Sequence, residues 1–288
     1  MSDYQKQATV LLSFDLEEFD LPLEYGYVIS LSDQIAITTE GLQALSETLT
    51  QYAIKATFYT TARYATHQPE WIKKLIQDGH ELASHGMHHG EFNRNDYAAS
   101  REILENQFQV PIYGFRMPRM KQTDIDALGK AGYRYHSSLH PTWIPGRYCH
   151  LREPRTITTQ QHILHIPPSV TPRLRFPLFW LSFHLIPFDK YIALCRQTIQ
   201  TDNYLHLYFH PWEWASWPKR LIKHIPFYLR VQSGINMKQR FKLWIEAISQ
   251  TTLNFTTTYD WLKQNYWKDE SLPDEIQPDK NLYRRTFE

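Results

Sequence analysis

The sequence has little cysteine, no long apolar run and almost no net charge. Two of its 288 residues are cysteine, Cys149 and Cys195, which excludes a disulfide framework and favours a reducing compartment. No run of 18 apolar residues suits a membrane-spanning helix, and the polar residues 1–7 lack the core of a signal peptide. The formal charge of +1 provides no broad field for nucleic acid. We therefore expect a cytoplasmic protein that does not bind nucleic acid.

Aromatic residues, in contrast, are plentiful. They make up 15% of the chain and include nine tryptophans. A chain of 288 residues can form one large α/β domain with a sizeable core. Flat apolar rings suit sugar faces as well as protein partners. We therefore expect some of these rings to line a groove.

Short apolar stretches alternate with amphipathic helical patterns, which indicates parallel βαβ units. Strands are predicted over residues 9–14, 55–60, 81–84, 112–115, 133–135, 162–166, 204–209 and 254–255. Helices are predicted over residues 38–49, 69–78, 96–108, 123–131, 190–200, 238–249 and 259–265. The pattern predicts a doubly wound sheet or a barrel, in which chemistry collects at the carboxyl ends of the strands.

The alternation breaks between residues 141 and 189, where prolines are frequent. We expect one domain over residues 1–266, with 141–189 as an irregular excursion over the barrel mouth and 267–288 as a loose charged tail. Residues 21–36 are predicted to form a loop. The apolar segment 174–188 fits core or lid packing better than a membrane surface, although a weak membrane association stays open.

Four carboxylates directly follow the first predicted strand: Asp15, Glu17, Glu18 and Asp20. Like charges crowded at a strand end repel each other and lose hydration. A metal ion or a catalytic proton could offset that cost. The alternative is a solvated loop that happens to be acidic.

Two histidines offer the other half of a metal site. His85 and His89 are four residues apart, which on a helical turn places both imidazoles on one face. Catalytic zinc sites take three protein ligands and leave one position for water. Of Asp15 and Glu17, one can therefore be the third ligand while the other accepts a proton.

Two further residues that follow predicted strands can complete a hydrolytic site. Arg116 can pair with the free carboxylate and orient it. His210 is a natural acid because its unperturbed pKa lies near neutrality. The alternatives are a surface ion pair for Arg116 and a satisfied core histidine for His210.

Taken together, these motifs resemble those of the polysaccharide deacetylase family, which shares the NodB homology domain. Residues 14–17, Phe-Asp-Leu-Glu, resemble its first motif, a strand that ends in an acidic pair. Residues 79–89 match Gly-His-Glu followed by His-x-x-x-His, and residues 116–118 match Arg-x-Pro. A later strand ends in His210, as in the family. The resemblance implies a distorted (β/α)7-type barrel and hydrolysis of an N-acetyl group on an amino sugar.

The resemblance also implies a role for each matching residue. It assigns Glu17, His85 and His89 to a divalent metal ion, with zinc expected and Glu18 as an alternative ligand. Asp15, oriented by Arg116, is the implied base, and His210 is the implied acid. The implied substrate-binding residues are Pro118, His136 and Trp212.

The chain resembles most the subgroup associated with exopolysaccharide and surface-glycan synthesis. Members have Tyr-Arg-Tyr-Asp-Ser-Ser and His-Pro-Trp-Glu, and residues 133–138 and 210–213 match these except for His136. The usual Asp at that position is thought to tune the catalytic histidine, so His136 leaves the pKa of the acid open. Glu17 replaces the commoner Asp ligand and still suits a divalent ion. The implied substrate is a glycan or a glycan precursor.

Two other functions stay open. One is a deformylase or another non-peptide amide hydrolase, although the tryptophans Trp143, Trp212, Trp214 and Trp217 favour a glycan. The other is a catalytically silent glycan-binding module, which His136 makes conceivable. Asp15, Arg116 and His210 argue against it, because binding alone needs none of the three. The identity of the sugar and the oligomeric state do not follow from the sequence.

Overall fold

A curled, mostly parallel sheet of nine strands forms the core of the computed structural model, which describes residues 7–250 and 253–267. The strands are, in chain order, β1 (Ala8–Leu16), β2 (Thr57–Thr60), β3 (Glu81–Ser84), β4 (Gly114–Phe115), β5 (Tyr135–His136), β6 (Trp143–Ile144), β7 (Tyr148–Cys149), β8 (Thr158–Gln160), β9 (Ile163–His165), β10 (Tyr204–Phe209) and β11 (Leu253–Thr256). Strands β6 and β7 form a separate antiparallel hairpin. Every strand predicted from the sequence is present.

Parallel pairing runs through the strand order β10-β1-β2-β3-β4-β5-β9. Strand β8 adds an antiparallel edge, and β11 pairs with the first half of β1. The seam between β9 and β10 is bridged by Ser169, whose amide donates a 2.8 Å hydrogen bond to the carbonyl of His206. The Ser169 hydroxyl in turn accepts a 2.9 Å bond from the His206 amide. This confirms the expected distorted (β/α)7-type barrel.

Helices cover the outside of the sheet. They are α1 (Leu21–Glu24), α2 (Leu31–Gln51), α3 (Ala62–His67), α4 (Pro69–Gln77), α5 (Asp96–Phe108), α6 (Ile125–Lys130), α7 (Trp180–Leu185), α8 (Phe188–Asp202), α9 (Lys219–Ile222), α10 (Phe227–Arg230), α11 (Ile235–Ile248) and α12 (Thr258–Asn265). Within residues 7–250 and 253–267, no helix is long and apolar enough to cross a membrane.

Helix α2 begins earlier than the sequence predicts, so the loop expected over residues 21–36 is wrong. The hydroxyl of Ser30 accepts a 3.1 Å hydrogen bond from the amide of Asp33 and caps the helix there. Thr38, the first residue of the helix predicted from the sequence, lies inside α2 instead. Its hydroxyl donates a 2.8 Å hydrogen bond to the carbonyl of Glu17, which ties α2 to the carboxyl end of β1.

The excursion over residues 141–189 contains more regular structure than the single strand expected there. It includes the β6–β7 hairpin, strand β8 and helix α7 as well as β9. Within the apolar segment 174–188, Leu178 and Phe183 are fully buried, as expected for core packing. The boundaries of the domain stay a prediction, since residues 268–288 lie outside the described part of the chain.

Packing on the helix side fixes the end of β1. Phe14 stacks on Phe58 with ring centroids 5.2 Å apart and meets the edge of Trp214 at 6.0 Å. Burying such a ring contributes about 1.5–3 kcal/mol. Because side chains alternate along a strand, the neighbours Ser13 and Asp15 point to the other face, into the barrel.

Candidate active site

The alternation of side chains along β1 continues past Leu16 and separates the acids at the carboxyl end of the strand. Asp15 and Glu17 face the barrel mouth, whereas Glu18 faces away from it. The Glu18 carboxylate accepts a 3.3 Å hydrogen bond from Thr61 and lies 3.5 Å from Arg63. Burial raises the pKa of Glu18. The structure therefore does not bring Glu18, the alternative ligand, to the histidines.

Glu17, His85 and His89 lie together. One carboxylate oxygen of Glu17, Oε2, is 3.1 Å from Nε2 of His85 and 3.1 Å from Nε2 of His89. Among the residues that the structure describes, these three side chains form a group of potential metal ligands whose donor atoms all lie within 4.8 Å of one another. Two nitrogens and one carboxylate oxygen form a donor set that zinc prefers.

The second nitrogen of each imidazole is occupied. Nδ1 of His85 donates a 2.8 Å hydrogen bond to the carbonyl of Arg116, and Nδ1 of His89 donates a 2.9 Å bond to Asp20. Both bonds hold a proton on Nδ1, so Nε2 is the nitrogen of each ring that faces Glu17 and would bind a metal ion. Such outer partners are a regular feature of histidine metal ligands. The chemistry of the site therefore fits a divalent ion.

The charges around the cluster favour a cation. Burial alone would raise the pKa of Glu17, but His89, the hydrogen bond to His85 and His210 lower it to about 2. Burial would likewise lower the pKa of His89, but Glu17 and Asp20 raise it to about 9. The two carboxylates thus hold positive charge between them.

Arg116 fixes the orientation of Asp15. Its side chain is fully buried, and Nη1 donates a 2.6 Å hydrogen bond to Oδ1 of Asp15. The remaining donors reach the Ser137 carbonyl, at 3.1 Å from Nε, and the hydroxyls of Ser13 and Ser137, at 3.0 and 2.9 Å from Nη2. The guanidinium also lies 4.0 Å from the ring centroid of Tyr59. Because these four hydrogen bonds engage most of the guanidinium, the buried charge is tolerated and the Asp15 carboxylate is held in place.

His210 faces Asp15 and Glu17 from the end of β10. Its Nε2 lies 3.9 Å from Oδ2 of Asp15 and 4.0 Å from Oε1 of Glu17. Nδ1 donates a 3.1 Å hydrogen bond to Glu213, whose other oxygen is 2.7 Å from Nε2 of His184. Burial would lower the pKa of His210, but the bond to Glu213 and the charge of Glu17 raise it. Glu213 therefore tunes His210, a role that sequence reasoning left without a residue once His136 replaced the usual Asp.

Two predicted substrate-binding residues lie outside the cavity. His136 is buried, and its ring stacks on His165 with centroids 4.7 Å apart. Burial and His165 push the pKa of His136 well below its usual value. Pro118 is also buried and does not line the cavity. Their part in substrate binding stays a prediction that the lining of the cavity does not support.

The tryptophans do not gather as one cluster. Trp214 packs in the core against Phe14, and Trp143 is largely exposed. Trp212 does reach the site, since its ring stacks on His210 at 4.5 Å. Trp180 of α7 joins them, 5.3 Å from the His210 ring. Nothing in the irregular sequence around Trp180 indicated that position.

These groups meet at the floor of a cavity of about 270 Å³. Asp15, Glu17, His89 and His210 line its floor, and many of its other lining residues are aromatic. The aromatic residues are Tyr25, Tyr148, Phe179, Trp180, Tyr208, Trp212 and Tyr228. A small apolar cavity with a few convergent polar groups is typical of a site for a small ligand or for one unit of a larger one.

Residues 5–136 match the family model described as Polysaccharide deacetylase. The matched segment contains the three candidate ligands together with Asp15 and Arg116. Over this segment, a little under half of its length, the chain is similar to the polysaccharide deacetylase family. The match ends before β10 and does not include His210 or Glu213. The observations on these two residues therefore come from the structure.

Individual proteins are similar to this chain over shorter stretches or at low identity. A chitooligosaccharide deacetylase of Bradyrhizobium sp. (strain ANU 289) is 40% identical over 48 residues, which is 17% of this chain and 22% of that relative. A probable polysaccharide deacetylase from Pseudomonas aeruginosa PAO1 superposes with a TM-score of 0.64 at 12% identity, over 90% of this chain and 91% of the other. The PuuE allantoinase superposes with a TM-score of 0.62 at 13% identity, over 91% and 93%. At these identities the two structures show the shared fold alone.

Proposed function

We propose that the protein is a metal-dependent hydrolase that removes an N-acetyl or similar small acyl group from an amino sugar in a glycan or glycan precursor. The observation that carries the proposal is a candidate base and a candidate acid that both lie beside one ligand cluster. Asp15 and His210 lie within 4 Å of each other, and Glu17 lies between the imidazoles of His85 and His89. Neither binding nor folding needs that combination.

Glu17, His85 and His89 would hold the metal ion, for which we propose zinc. When bound, a divalent ion in such a site polarises a carbonyl oxygen and acidifies a water molecule. Asp20 and the Arg116 carbonyl keep the two imidazoles in place for it. The site is thus preorganised by bonds that the chain makes itself.

Asp15 would accept a proton from the attacking water. Its Oδ1 is held by Arg116 and its Oδ2 faces His210 across 3.9 Å, so Oδ2 points into the cavity. Proton transfer by a positioned carboxylate typically contributes a factor of about 10²–10⁴ to the rate. Arg116 acts through Asp15 and is a positioning residue.

His210 would donate a proton to the departing amine of the sugar. Glu213 holds Nδ1, which leaves Nε2 to face the cavity and the cluster. Because the pKa of His210 is raised, the ring keeps its proton to a higher pH than a free histidine. Trp212 and Trp180 lie against the ring and restrict its orientation.

The aromatic walls would position the sugar. Trp212, Trp180 and Tyr208 lie next to the proposed acid and offer flat faces to a pyranose ring. The relative that is a chitooligosaccharide deacetylase supports an N-acetylated sugar, although the alignment spans less than a quarter of its length. A place in surface polysaccharide synthesis and a cytoplasmic location are further proposals.

Assays of the released acid test the proposal. Acetate and formate are measured with N-acetylated and N-formylated amino sugars and short chitooligosaccharides, before and after treatment with a chelator. We expect acetate release that the chelator abolishes and added zinc restores. Preferential formate release would instead favour the deformylase. Binding of the sugars without release of either acid would favour the silent glycan-binding module.

A further inference from the structure

A second cavity opens beside the one that holds the proposed site. Its volume is about 340 Å³, and it shares Glu24, Arg119, Met120, Arg147 and Tyr148 with the first cavity. The five shared residues place the two cavities side by side. A molecule whose amide lies at the ligand cluster can therefore extend into this side cavity.

Basic side chains dominate the lining of the side cavity. Arg119, Lys121, Arg147 and His150 contribute to it, whereas Glu24 is the acidic residue among the lining. The proposed reaction uses none of the four basic residues. They form a binding surface whose purpose the hydrolysis itself does not explain.

The ion pairs in this region do not neutralise it. Arg119 pairs with Glu24 and donates a 2.8 Å hydrogen bond to Asp20, while Arg147 shares the same Glu24 at 3.2 Å. Asp20 is also the partner of the imidazole of His89. Lys121 is exposed and makes no ion pair within the described residues. Three permanent cations thus face two carboxylates, one of which is already shared with a histidine.

The backbone at Arg119 points to a positional requirement. Arg119 and Met120 have φ angles of 60° and 51°, in the left-handed region that residues other than glycine adopt reluctantly. Strained backbone of this kind is concentrated at functional sites. Here the turn carries Arg119 to the boundary between the two cavities, where it contacts Asp20 and Glu24.

We propose that the side cavity binds an oxyanion carried by the substrate, a phosphate or a carboxylate attached close to the acylated sugar. Arginine binds both groups through paired N–H donors, and Lys121 adds a mobile charge at the outer end. Tyr148 and His150 stack at 4.6 Å with an interplanar angle of 8° and form a flat wall next to the cations. This assignment rests on the proposed function and names its substrate class as anionic amino sugars.

Binding of small anions to the zinc-loaded protein tests the site. The probes are inorganic phosphate and glucuronate, titrated by calorimetry into the wild type and into the double variant Lys121→Gln/Arg147→Gln. A matched control is Arg173→Gln/Lys190→Gln, which removes one arginine and one lysine that are exposed and line neither cavity. We expect the Kd for the anion to rise at least about tenfold in Lys121→Gln/Arg147→Gln and to stay unchanged in the control.

The two probes distinguish the two sources of the anion. Selective loss of phosphate binding identifies a phosphorylated sugar, and selective loss of glucuronate binding identifies an acidic sugar. Binding that is equal in the wild type and both double variants overturns the proposal, because the anion then rests on the metal or elsewhere. A wild-type protein that binds neither phosphate nor glucuronate overturns the proposal as well.

Turnover gives a second, independent measurement. The kcat/KM for N-acetylglucosamine 1-phosphate divided by that for methyl N-acetylglucosaminide is expected to fall at least about tenfold in Lys121→Gln/Arg147→Gln. An unchanged ratio would contradict the anion site while leaving the deacetylase intact. Absence of acetate release from both sugars, with anion binding retained, would instead contradict the proposed function alone.

Discussion

The guanidinium of Arg116 donates a 2.6 Å hydrogen bond to the carboxylate of Asp15, a residue 101 positions earlier in the chain. Both side chains are buried; Asp15 lies near the carboxyl end of β1, and Arg116 directly follows β4 of the same sheet. The carbonyl of Arg116 also fixes His85. One residue therefore orients both the proposed base and a proposed metal ligand.

Replacement of Arg116 is expected to destabilise the protein as well as inactivate it. Arg116→Met leaves Asp15 buried without its partner, and breaking a buried ion pair costs about 3–5 kcal/mol. The free energy of unfolding in urea measures the effect. The control Arg152→Met removes an exposed arginine and should change stability by less than about 0.5 kcal/mol. If Arg116→Met lowers the free energy of unfolding no more than the control does, the buried pair contributes little to stability.

Glu213→Gln should shift the pH dependence of kcat/KM. His210 must be protonated to act as an acid, so activity falls as the pH rises through its pKa. Glu213 raises that pKa, and its removal therefore moves the alkaline limb of the profile to lower pH. Glu102→Gln, at an exposed position, should leave the profile in place. An alkaline limb that stays put or moves to higher pH in Glu213→Gln would exclude this role.

Asp20→Asn should weaken metal binding without removing a ligand. Asp20 accepts the Nδ1 proton of His89 at 2.9 Å, and loss of such an outer partner costs about 10–100-fold in affinity. Competition with a chromogenic chelator gives the Kd for zinc. Asp189→Asn changes an exposed carboxylate and serves as the control. Equal zinc affinity in Asp20→Asn and the wild type would contradict the role of Asp20.

The main features of the fold follow from sequence pattern because they depend on local periodicity. Strand β3, helix α5 and strand β10 have the predicted bounds, and each is a run with a clear pattern and clear ends. Since parallel strands end at one edge of the sheet, the meeting of Asp15, His85 and Arg116 could also be anticipated. The family motifs added the division of roles among them.

The features that escaped prediction depend on partners distant in sequence. Glu213 acquires its role from His210 and His184, and Asp20 acquires its role from His89, none of which a local pattern reveals. Trp180 reaches the site from an irregular segment. The start of α2 at Leu31 was missed because the Ser30 cap precedes a stretch with weak helical periodicity.

His136 is the position at which the chain departs from a family motif. The replacement of the usual Asp by His136 left the pKa of the acid open. In the structure His136 stacks on His165 in the barrel interior, and Glu213 holds Nδ1 of His210 instead. Having His136 in place of the usual Asp therefore affects the packing of the barrel interior as well as the chemistry of the site.

The most direct test is the metal content and acetate release of Asp15→Asn compared with Glu17→Gln. If Asp15 is the base and Glu17 the ligand, Asp15→Asn keeps stoichiometric zinc and loses a factor of about 10²–10⁴ in kcat. Glu17→Gln should lose the zinc together with the activity. Loss of zinc in Asp15→Asn with zinc retained in Glu17→Gln would reverse the two roles, and a wild-type protein that binds no divalent ion would contradict the metal centre itself.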